Sequence, residues 1–195
     1  MRLTAPDPLR RIEQWHDAAA RAGEKQPDAM CIATVGADGM PSLRYVLLKS
    51  LSPAGLVFFT DSRSRKGADL ARSPQIAATL RWGTTGRQIR VEGLAQQLPA
   101  AAADEYWATR PRVSRLSAAA STQSAPLRAR ELLVARRAAL ALRYARREIP
   151  RPAAWLGYVI EPRSIEFWTQ KPGRLHHREL FRRTTRGWKV QLLQP

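Results

Sequence analysis

The sequence predicts one domain of the α+β class, an antiparallel barrel that is closed or nearly closed and carries inserted and flanking helices. Three observations support this prediction. The 195 residues suffice for one domain with a substantial core but are few for two. Six or seven strand-like segments are joined by turns rich in Gly, Pro and Asp, and helical segments lie among them. No linker marks a second domain, so the domain is expected to span residues 1–195, with residues 1–6 poorly ordered.

The chain is expected to open with a helix followed by three strands. Over residues 8–23, the apolar residues Leu9, Ile12, Trp15 and Ala19 recur at the spacing of one helix face. Strands are then predicted in AMCIATVG, SLRYVLLKS and LVFFTD, which the turn sequences ADGMP and LSPAG separate. Because these connections are so short, the three strands are expected to be antiparallel neighbours.

The middle of the chain is predicted to be mainly helical, with one hairpin. A short helix is expected in SRSRKGADLAR, and a hairpin in QIAATLRW and RQIRVEGLAQQL around GTTG. A further helix is expected in PAAAADEYWATR, with Pro99 at its first position, and another over residues 127–147, which are strong helix formers. The last strands are expected in LGYVIEPRSIEFWTQ and RELFRRTTRGWKVQLL, on either side of a Lys-Pro-Gly turn.

Composition limits the possible compartments and partners. The hydrophobic content of 44% and six Trp indicate a packed domain, and no apolar run approaches the roughly 20 residues that cross a bilayer. No membrane partner is therefore expected. The start of the chain lacks the pattern of a secretory signal. Because Cys31 is the only cysteine, neither an intrachain disulfide nor a cysteine-rich metal site can form, and a cytoplasmic location is predicted.

The formal net charge of +17 predicts an anionic partner without identifying it. The basic residues are spread along the chain, and no zinc-finger, RNA-binding or leucine-zipper pattern accompanies them, so no nucleic acid is expected. A small phosphorylated ligand would need only a few of these charges. A basic nucleic-acid-binding protein without catalysis is the alternative, and it predicts salt-sensitive binding and a colourless preparation.

Two clusters near the first strands could bind anions. In SLRYVLLK, the only charges are Arg44 and Lys49, which lie five positions apart and so face opposite sides unless a bulge intervenes. In TDSRSRKG, a strand ends where a helix begins, and free backbone N–H groups there favour anions. Ser64, Arg65 and Lys66 would add donors to a phosphate site. Rim residues and a simple helix cap are the alternatives for these two clusters.

A third cluster lies in EYWATRPRVS. Tyr106 and Arg110 are one helical turn apart, and Ser114 follows the break at Pro111. A phenol, a guanidinium and a hydroxyl that converge would suit a phosphate monoester. Surface decoration of a helix end is the alternative.

The segment PGRLHHR places two of the three histidines side by side after a Pro-Gly turn. On a strand, Arg174, His176 and Arg178 would share one face, and Leu175 and His177 the other. A solvated basic edge strand is the alternative. No metal site is expected, because neighbouring histidines on a strand point apart. No G-x-S-x-G motif is present either, so an enzyme of this sequence would rely on a cofactor.

Eight short motifs together resemble a known family. In chain order they are RYVLLK, FFT, SRK, RQIRVEG, YWATRPR, STQS, IEFW and RLHHR, and LQP closes the chain. They resemble the successive motifs of the pyridoxine/pyridoxamine 5′-phosphate oxidases over roughly residues 7–195. The resemblance implies an FMN-binding split barrel, a homodimer with the flavin at the subunit interface. It also implies oxidation of pyridoxine or pyridoxamine 5′-phosphate to pyridoxal 5′-phosphate by O₂, with release of H₂O₂.

The resemblance further implies roles for individual residues. FMN contacts are implied for Arg44, Tyr45, Val46, Leu47, Leu48, Lys49, Phe59, Thr60, Arg65, Lys66, Gln88, Gln123, Ser124, Trp168 and Arg178. Contacts to the substrate phosphate are implied for Lys49, Tyr106, Arg110 and Ser114. Arg174 and His176 would lie against the pyridine ring as the catalytic pair. Gln123, Trp168 and Arg178 are expected to come from the partner subunit.

Four features depart from the family pattern. Phe59 stands where tyrosine is common, and Ala119 where a tryptophan usually follows Gly-Ala. His177 replaces an acidic residue, and the N-terminus lacks an Arg-x-x-Tyr segment. These departures bear on substrate identity, and a related FMN oxidase acting on another substrate, such as a phenazine precursor, is the alternative. Against it, a substrate without a phosphate would leave the cations of the third cluster and Lys49 without a partner.

Overall fold

The computed structural model describes residues 7–195. The expectation of poor order for residues 1–6 lies outside the described residues. The α-helices are α1 (Pro8–Arg21), α2 (Arg65–Arg72), α3 (Ala100–Thr109), α4 (Arg112–Ala120) and α5 (Arg130–Arg143). The strands are β1 (Ala29–Val35), β2 (Pro41–Leu47), β3 (Ser50–Ser52), β4 (Gly55–Asp61), β5 (Gln75–Trp82), β6 (Arg87–Gln97), β7 (Trp155–Thr169), β8 (His177–Thr184) and β9 (Gly187–Leu193).

Helix α1 forms where the apolar spacing predicts it. Asp7 caps the helix, since its Oδ1 accepts a hydrogen bond from the backbone N–H of Leu9 at 3.0 Å. The apolar face is buried, and Trp15 packs edge-on against Phe167, with ring centroids 5.0 Å apart. The helix thereby closes one side of the main hydrophobic core, to which the sheet contributes most of the remaining side chains.

The strands form one antiparallel sheet whose order is β2-β1-β5-β6-β7-β4-β3, and β8 pairs with β7 and β9. The sheet divides along β7: the first half of this strand pairs with β4 and its second half with β8. Near Pro162 the register between β6 and β7 shifts beside Gly93. A side chain at Gly93 would collide with the carbonyl oxygen of Glu161, so this close approach requires glycine.

The sheet is an open half-barrel whose edge strands are β2, β3 and β9, so the barrel is not fully closed. Two predictions about its strands need correction. The described residues contain nine strands, because β3 separates from β2 and the last predicted segment divides into β8 and β9. Strand β4 is not paired with β2; it pairs with β3 and β7. Strand β4 is buried on both faces and needs a central position, whereas β2 is half-exposed and forms an edge.

The helices after β6 lie over the first half of β7. Pro111 ends α3 and begins α4, because the residue before proline avoids helical backbone angles. A small second core formed by Trp107, Leu116, Ile149 and Trp155 holds this corner in place. Helix α5 is shorter than the predicted residues 127–147 and has no buried residue. Among the described helices, none has both the length and the apolar character needed to span a membrane.

Candidate active site

The residues of the predicted anion site lie at the turn between β4 and α2. The Ser64 side chain caps α2 by accepting a hydrogen bond from the N–H of Gly67 at 3.3 Å. A side chain at Gly67 would collide with the backbone of Ser62, so this tight turn requires glycine. The turn directs Lys66 inward, where only 6% of the residue is exposed.

The Lys66 ammonium has three hydrogen-bond acceptors, and all of them are neutral. Its Nζ donates to Thr60 Oγ1 at 3.2 Å, to Ser64 Oγ at 3.3 Å and to Gln123 Oε1 at 2.8 Å. Burial, together with the charge of Arg44, lowers the pKa of Lys66 to about 8. A buried positive charge without a bonded carboxylate is costly. The site therefore favours an anionic ligand.

Two further cations lie beside Lys66. Arg44 is held by hydrogen bonds from Nη1 to Thr34 Oγ1 at 2.6 Å and from Nη2 to Ser42 Oγ at 2.8 Å. Burial lowers the pKa of Arg44; Asp69 opposes this shift, and the charge of Arg65 adds to it. The guanidinium of Arg65 reaches the loop at Gly36, and the side chain is exposed. Arg44, Arg65 and Lys66 thus form a cationic cluster suited to a phosphate.

Lys49 occupies a different position from Arg44. Strand β2 ends at Leu47, so the alternation of side chains along a strand does not apply to Lys49. Its Nζ lies 3.4 Å from Asp28 Oδ2, an acidic contact that the sequence patterns did not indicate. The two cations of SLRYVLLK thus have different acidic neighbours, Asp28 for Lys49 and Asp69 for Arg44.

The four residues predicted to bind a substrate phosphate line one cavity of about 300 Å³, which we call the inner pocket. Its lining consists of Tyr45, Val46, Leu47, Lys49, Phe59, Thr60, Lys66, Tyr106, Arg110, Pro111, Ser114, Gln123 and Trp155. The structure thus brings the predicted phosphate group of Lys49, Tyr106, Arg110 and Ser114 next to Lys66. Of the other predicted flavin contacts on this side, Leu48 is buried in the core, and Arg44 and Arg65 lie in the cationic cluster.

Arg110 is held against an aromatic stack. Its guanidinium carbon lies 4.5 Å from the ring centroid of Trp155, and burial lowers its pKa. The rings of Phe59, Tyr106 and Trp155 lie together and nearly parallel: the Phe59 centroid is 4.2 Å from that of Tyr106 and 5.3 Å from that of Trp155, and the last two are 5.8 Å apart. Arg110 directly follows α3 as its C-cap residue with φ −69°, so it and Tyr106 still lie on one side of the helix, and both side chains pack near Trp155. The corner at Pro111 brings Ser114 to the same pocket.

A second group of predicted residues lies where β7 ends and where β6 and β8 begin, on what we call the outer face: Gln88, Trp168, Arg174, His176 and Arg178. Trp168 is the cross-strand partner of both Gln88 and Arg178. Arg178 Nε donates to Glu166 Oε1 at 2.8 Å. Of the cavities next to Lys66 in the described part of the chain, none is lined by an outer-face residue.

The strand predicted for RLHHR begins later than expected. Pro172–Arg174 form a short 3₁₀ turn, Arg174 has φ 61°, and β8 starts at His177. The alternation argument therefore fails for Arg174 and His176. The His176 ring packs on Trp168 with centroids 4.5 Å apart, and its Nδ1 accepts from the backbone N–H of Lys171 at 3.3 Å.

His177 faces away from the outer face, and alternation along β8 explains this relative to Arg178, although not relative to Arg174 and His176. On β8, its Nε2 lies 3.2 Å from Glu179 Oε2. The same carboxylate oxygen accepts from Arg11 of α1. Arg178, which stands between His177 and Glu179 in β8, points to the opposite side of the strand.

The segment after α4 carries Gln123 and Ser124. Because Gln123 Oε1 accepts from both Lys66 and Thr60 of the same chain, the expectation that the partner supplies Gln123 is wrong for this conformation. Ser124 has φ 68°, and it and Arg174 are the non-glycine residues with positive φ in residues 7–195. Such backbone angles are strained and concentrate at functional sites.

Sequence reasoning missed several residues that shape the inner pocket. Trp155, which supports Arg110, lies one residue before the segment predicted as a strand, and no role was expected for it. Asp69, which is buried beside Arg44, was interpreted only as part of a helix. Its spacing of three from Lys66 on the buried face of α2 is the signal that could have identified it.

Comparison with known proteins identifies similar chains over the whole length. Residues 16–144 match the family model described as pyridoxamine 5′-phosphate oxidase, and residues 155–195 the pyridoxine 5′-phosphate oxidase C-terminal dimerisation region. A pyridoxine/pyridoxamine 5′-phosphate oxidase of Granulibacter bethesdensis is 45% identical, over 99% of this chain and 93% of the relative. The enzyme of the same name from Anaeromyxobacter dehalogenans is 47% identical, over 98% and 96%.

Solved structures are similar as well. The crystal structure of PhzG from Burkholderia lata 383, in complex with tetrahydrophenazine-1-carboxylic acid, has a TM-score of 0.93 and 34% identity, over 98% of this chain and 95% of that one. A pyridoxamine 5′-phosphate oxidase-related, FMN-binding protein from Nostoc punctiforme has a TM-score of 0.77 at 17% identity, over 98% and 99%, which supports the fold alone. The predicted split-barrel fold is confirmed.

Proposed function

The chain belongs to the pyridoxamine 5′-phosphate oxidase family, and on that premise we propose how its residues share the work of the active site. The protein is an FMN-dependent oxidase that converts pyridoxine or pyridoxamine 5′-phosphate to pyridoxal 5′-phosphate. The observation that carries the proposal is the inner pocket, where four phosphate-binding side chains meet beside a buried ammonium. FMN, when bound, supplies a ring that accepts a hydride from the substrate and is reoxidised by O₂, with release of H₂O₂.

Arg44, Arg65 and Lys66 hold the FMN phosphate. The fit is supported by the three neutral acceptors of Lys66, which leave its charge available to an anion. Strand β2 is an edge strand, so alternate backbone N–H and C=O groups have no strand partner and can bind the polar edge of the flavin ring. Residues 45–48 provide these groups. Thr60, Gln123 and Ser124 complete the contacts from this side.

The substrate phosphate binds to Lys49, Tyr106, Arg110 and Ser114. Arg110 is the anchor, because Trp155 fixes the plane of its guanidinium before any ligand arrives. Lys49 exchanges its contact with Asp28 for the phosphate. Holding the phosphate in this way fixes the position of the C4′ carbon, and alignment of reacting atoms is a large part of the rate enhancement.

The outer face acts on the ligands of a partner subunit. The matched dimerisation region covers residues 155–195, which carry Trp168, Arg174, His176 and Arg178. Strand β2 exposes Leu43, Tyr45 and Leu47 at 70, 74 and 44%, an apolar row typical of an interface. In a homodimer, the outer face of one chain would complete the inner pocket of the other.

Arg174 and His176 act on the pyridine ring. The planar guanidinium of Arg174 is permanently charged and can cover one face of the ring. Since Nδ1 of His176 accepts from the Lys171 backbone, Nε2 is the nitrogen that can hydrogen-bond the substrate or exchange a proton with it. We also infer a cytoplasmic location, on the basis of the single cysteine.

Oxidation of a phenazine precursor is the second candidate, favoured by the similarity to PhzG. The experiment compares pyridoxine 5′-phosphate, pyridoxamine 5′-phosphate, pyridoxine and a reduced phenazine carboxylic acid as substrates of the FMN-loaded protein. We expect the two phosphorylated pyridines to be oxidised fastest, with H₂O₂ released. Faster oxidation of the phenazine than of both phosphates would replace the proposal, and a protein that binds no FMN would refute it.

A further inference from the structure

A buried carboxylate lies behind the cationic cluster. Asp69, on the inner side of α2, has 7% of its surface exposed. Its Oδ2 accepts a hydrogen bond of 2.6 Å from the hydroxyl of Thr34, which is fully buried in β1. The same hydroxyl oxygen accepts from Arg44 Nη1 at 2.6 Å, and Arg44 Nη2 lies 3.8 Å from Asp69 Oδ2. The three side chains form a continuous relay from α2 through β1 to β2.

The relay counteracts the repulsion among the positive charges of the cationic cluster. Without a ligand, Arg44, Arg65 and Lys66 place three like charges close together; burial is the main cause that lowers the pKa values of Arg44 and Lys66, and the neighbouring cation adds to each shift. Repulsion of this kind would turn the flexible Arg44 side chain toward solvent. Asp61, the nearby buried carboxylate, is already paired with Arg63. Asp69 is therefore the carboxylate that can hold Arg44 in the cluster.

The charges also balance once a phosphate is present. Three cations and Asp69 sum to a charge of +2, and a phosphate monoester carries about −1.5 to −2 at pH 7. A cluster without Asp69 would remain positive after the ligand had bound. The arrangement thus suits a phosphate dianion.

We infer that Asp69 is a positioning residue, which acts through Thr34 to hold the Arg44 guanidinium where it meets the flavin phosphate. The inference rests on the proposed contact between Arg44 and FMN. Beyond that contact, it assigns a role to Asp69 and Thr34, to which no contact with FMN or with the substrate is assigned. A hydrogen-bonded pair that only stabilised the packing of α2 on β1 would affect unfolding and leave phosphate recognition alone.

The test measures FMN affinity by quenching of flavin fluorescence as apoprotein is titrated, with thermal unfolding of each apoprotein in parallel. Thr34→Val removes the hydroxyl, keeps every charge and has nearly the same shape. We expect it to weaken FMN binding about tenfold, the low end for a hydrogen bond to a charged group. Thr34→Ser restores the hydroxyl and is the matched control, expected within about twofold of the native protein.

The variant Asp69→Asn distinguishes two roles for Asp69: positioning Arg44, or only reducing the positive charge of the cluster. If Asp69 only reduced the positive charge of the cluster, its neutralisation would tighten FMN binding. Positioning predicts weaker binding, by about five- to tenfold. In an Arg44→Met background, Asp69→Asn should have less than about a twofold further effect, because the residue that it positions is gone.

The outcomes are distinguishable. Unchanged or tighter FMN binding in Asp69→Asn, or an equal loss with and without Arg44, overturns the inference while leaving the proposed function intact. If Asp69→Asn fails to fold, the Thr34→Val and Thr34→Ser pair decides: equal affinities overturn the inference. Failure of the native apoprotein to bind FMN would instead refute the proposed function.

Discussion

The inner pocket and the outer face differ in how far one chain completes them. In the inner pocket, Lys66 is 6% exposed and bonded to three side chains, and Arg110 is stacked on Trp155. On the outer face, Arg174 is exposed, and within residues 7–195 its side chain makes no hydrogen bond or ion pair. Folding of one chain holds the side chains of the inner pocket, and also His176 and Arg178 on the outer face, whereas Arg174 needs a ligand or a partner to fix its side chain. Substitutions in the two regions should therefore affect different measurements.

The largest effect is expected on the outer face, from Arg174→Ala. If Arg174 orders the pyridine ring, its loss removes about 2–4 kcal/mol of transition-state stabilisation, a fall in kcat/KM of roughly 30- to 1000-fold. FMN content should stay near normal, because the inner pocket is untouched. Steady-state oxidase assays on FMN-saturated protein measure this effect.

The neighbouring variant His177→Ala is the control for Arg174→Ala. His177 contacts Glu179 on the other side of β8, and its removal should change kcat/KM by less than about twofold. If His177→Ala is as damaging as Arg174→Ala, the orientation of this segment is wrong.

The reverse pattern is expected for Arg65→Ala in the cationic cluster. A charge-assisted hydrogen bond contributes about 1.5–3 kcal/mol, so FMN affinity should fall roughly 10- to 100-fold. Apoprotein stability should hardly change, since Arg65 is exposed. Arg63→Ala removes a cation two residues away that is paired with Asp61 and is the matched control. An equal loss of FMN affinity in both variants would mean that only the net positive charge matters and that Arg65 makes no specific contact with the phosphate.

The two regions also differ in how well the sequence predicted them. The helical spacing of Leu9, Ile12 and Trp15 was sufficient for α1, because a local period determines the buried face. Pairing of β4 with β7 could not be predicted in this way, since Phe59 and Gly157 are far apart in the chain. The motifs grouped four residues that line one cavity in the structure, whereas the contact of Asp69 with Thr34 depends on how α2 packs on β1.

On the outer face, the alternation argument failed for the residues before β8 because two positive φ angles interrupt the expected strand. Alternation in RLHHR assumes extended residues, but Gly173 and Arg174 both have positive φ and form a turn. Glycine predicts such an angle, and arginine does not. Strain of this kind is set by the surrounding structure, which single-sequence patterns do not describe.

A smaller effect is expected in the pH dependence of FMN affinity, which should follow the protonation of Lys66 in the inner pocket. Lys66 in the apoprotein has its pKa lowered to about 8 from 10.5. FMN affinity should therefore be fully present below pH 8 and fall by up to about tenfold per pH unit above it, as the ammonium loses its proton. Below about pH 6, protonation of the ligand phosphate weakens binding as well. Fluorescence titration between pH 5 and 10 measures both limbs.

Lys66 should make the stability of the apoprotein rise with pH, whereas FMN affinity falls. A lysine with a lowered folded-state pKa binds fewer protons in the folded than in the unfolded state between about pH 8 and 10.5, so stability rises across that window. Lys66→Met does not titrate and should flatten both profiles above pH 8. A native-like profile in Lys66→Met would assign the pH dependence to another group.

The smallest effect compares two substitutions of Ser124, the strained residue that follows Gln123. Both Ser124→Ala and Ser124→Gly remove the hydroxyl, so any change in FMN affinity should be the same in both. They differ in backbone cost, because φ 68° is open to glycine and costs alanine about 1–2 kcal/mol. The more flexible unfolded chain of the glycine variant offsets about 0.4–1 kcal/mol of that difference. Chemical denaturation should therefore find Ser124→Gly more stable than Ser124→Ala by about 0.5–1 kcal/mol. Equal stabilities would mean that residue 124 relaxes to negative φ at no cost, and that the segment above Lys66 is less firmly organised than the rest of the inner pocket.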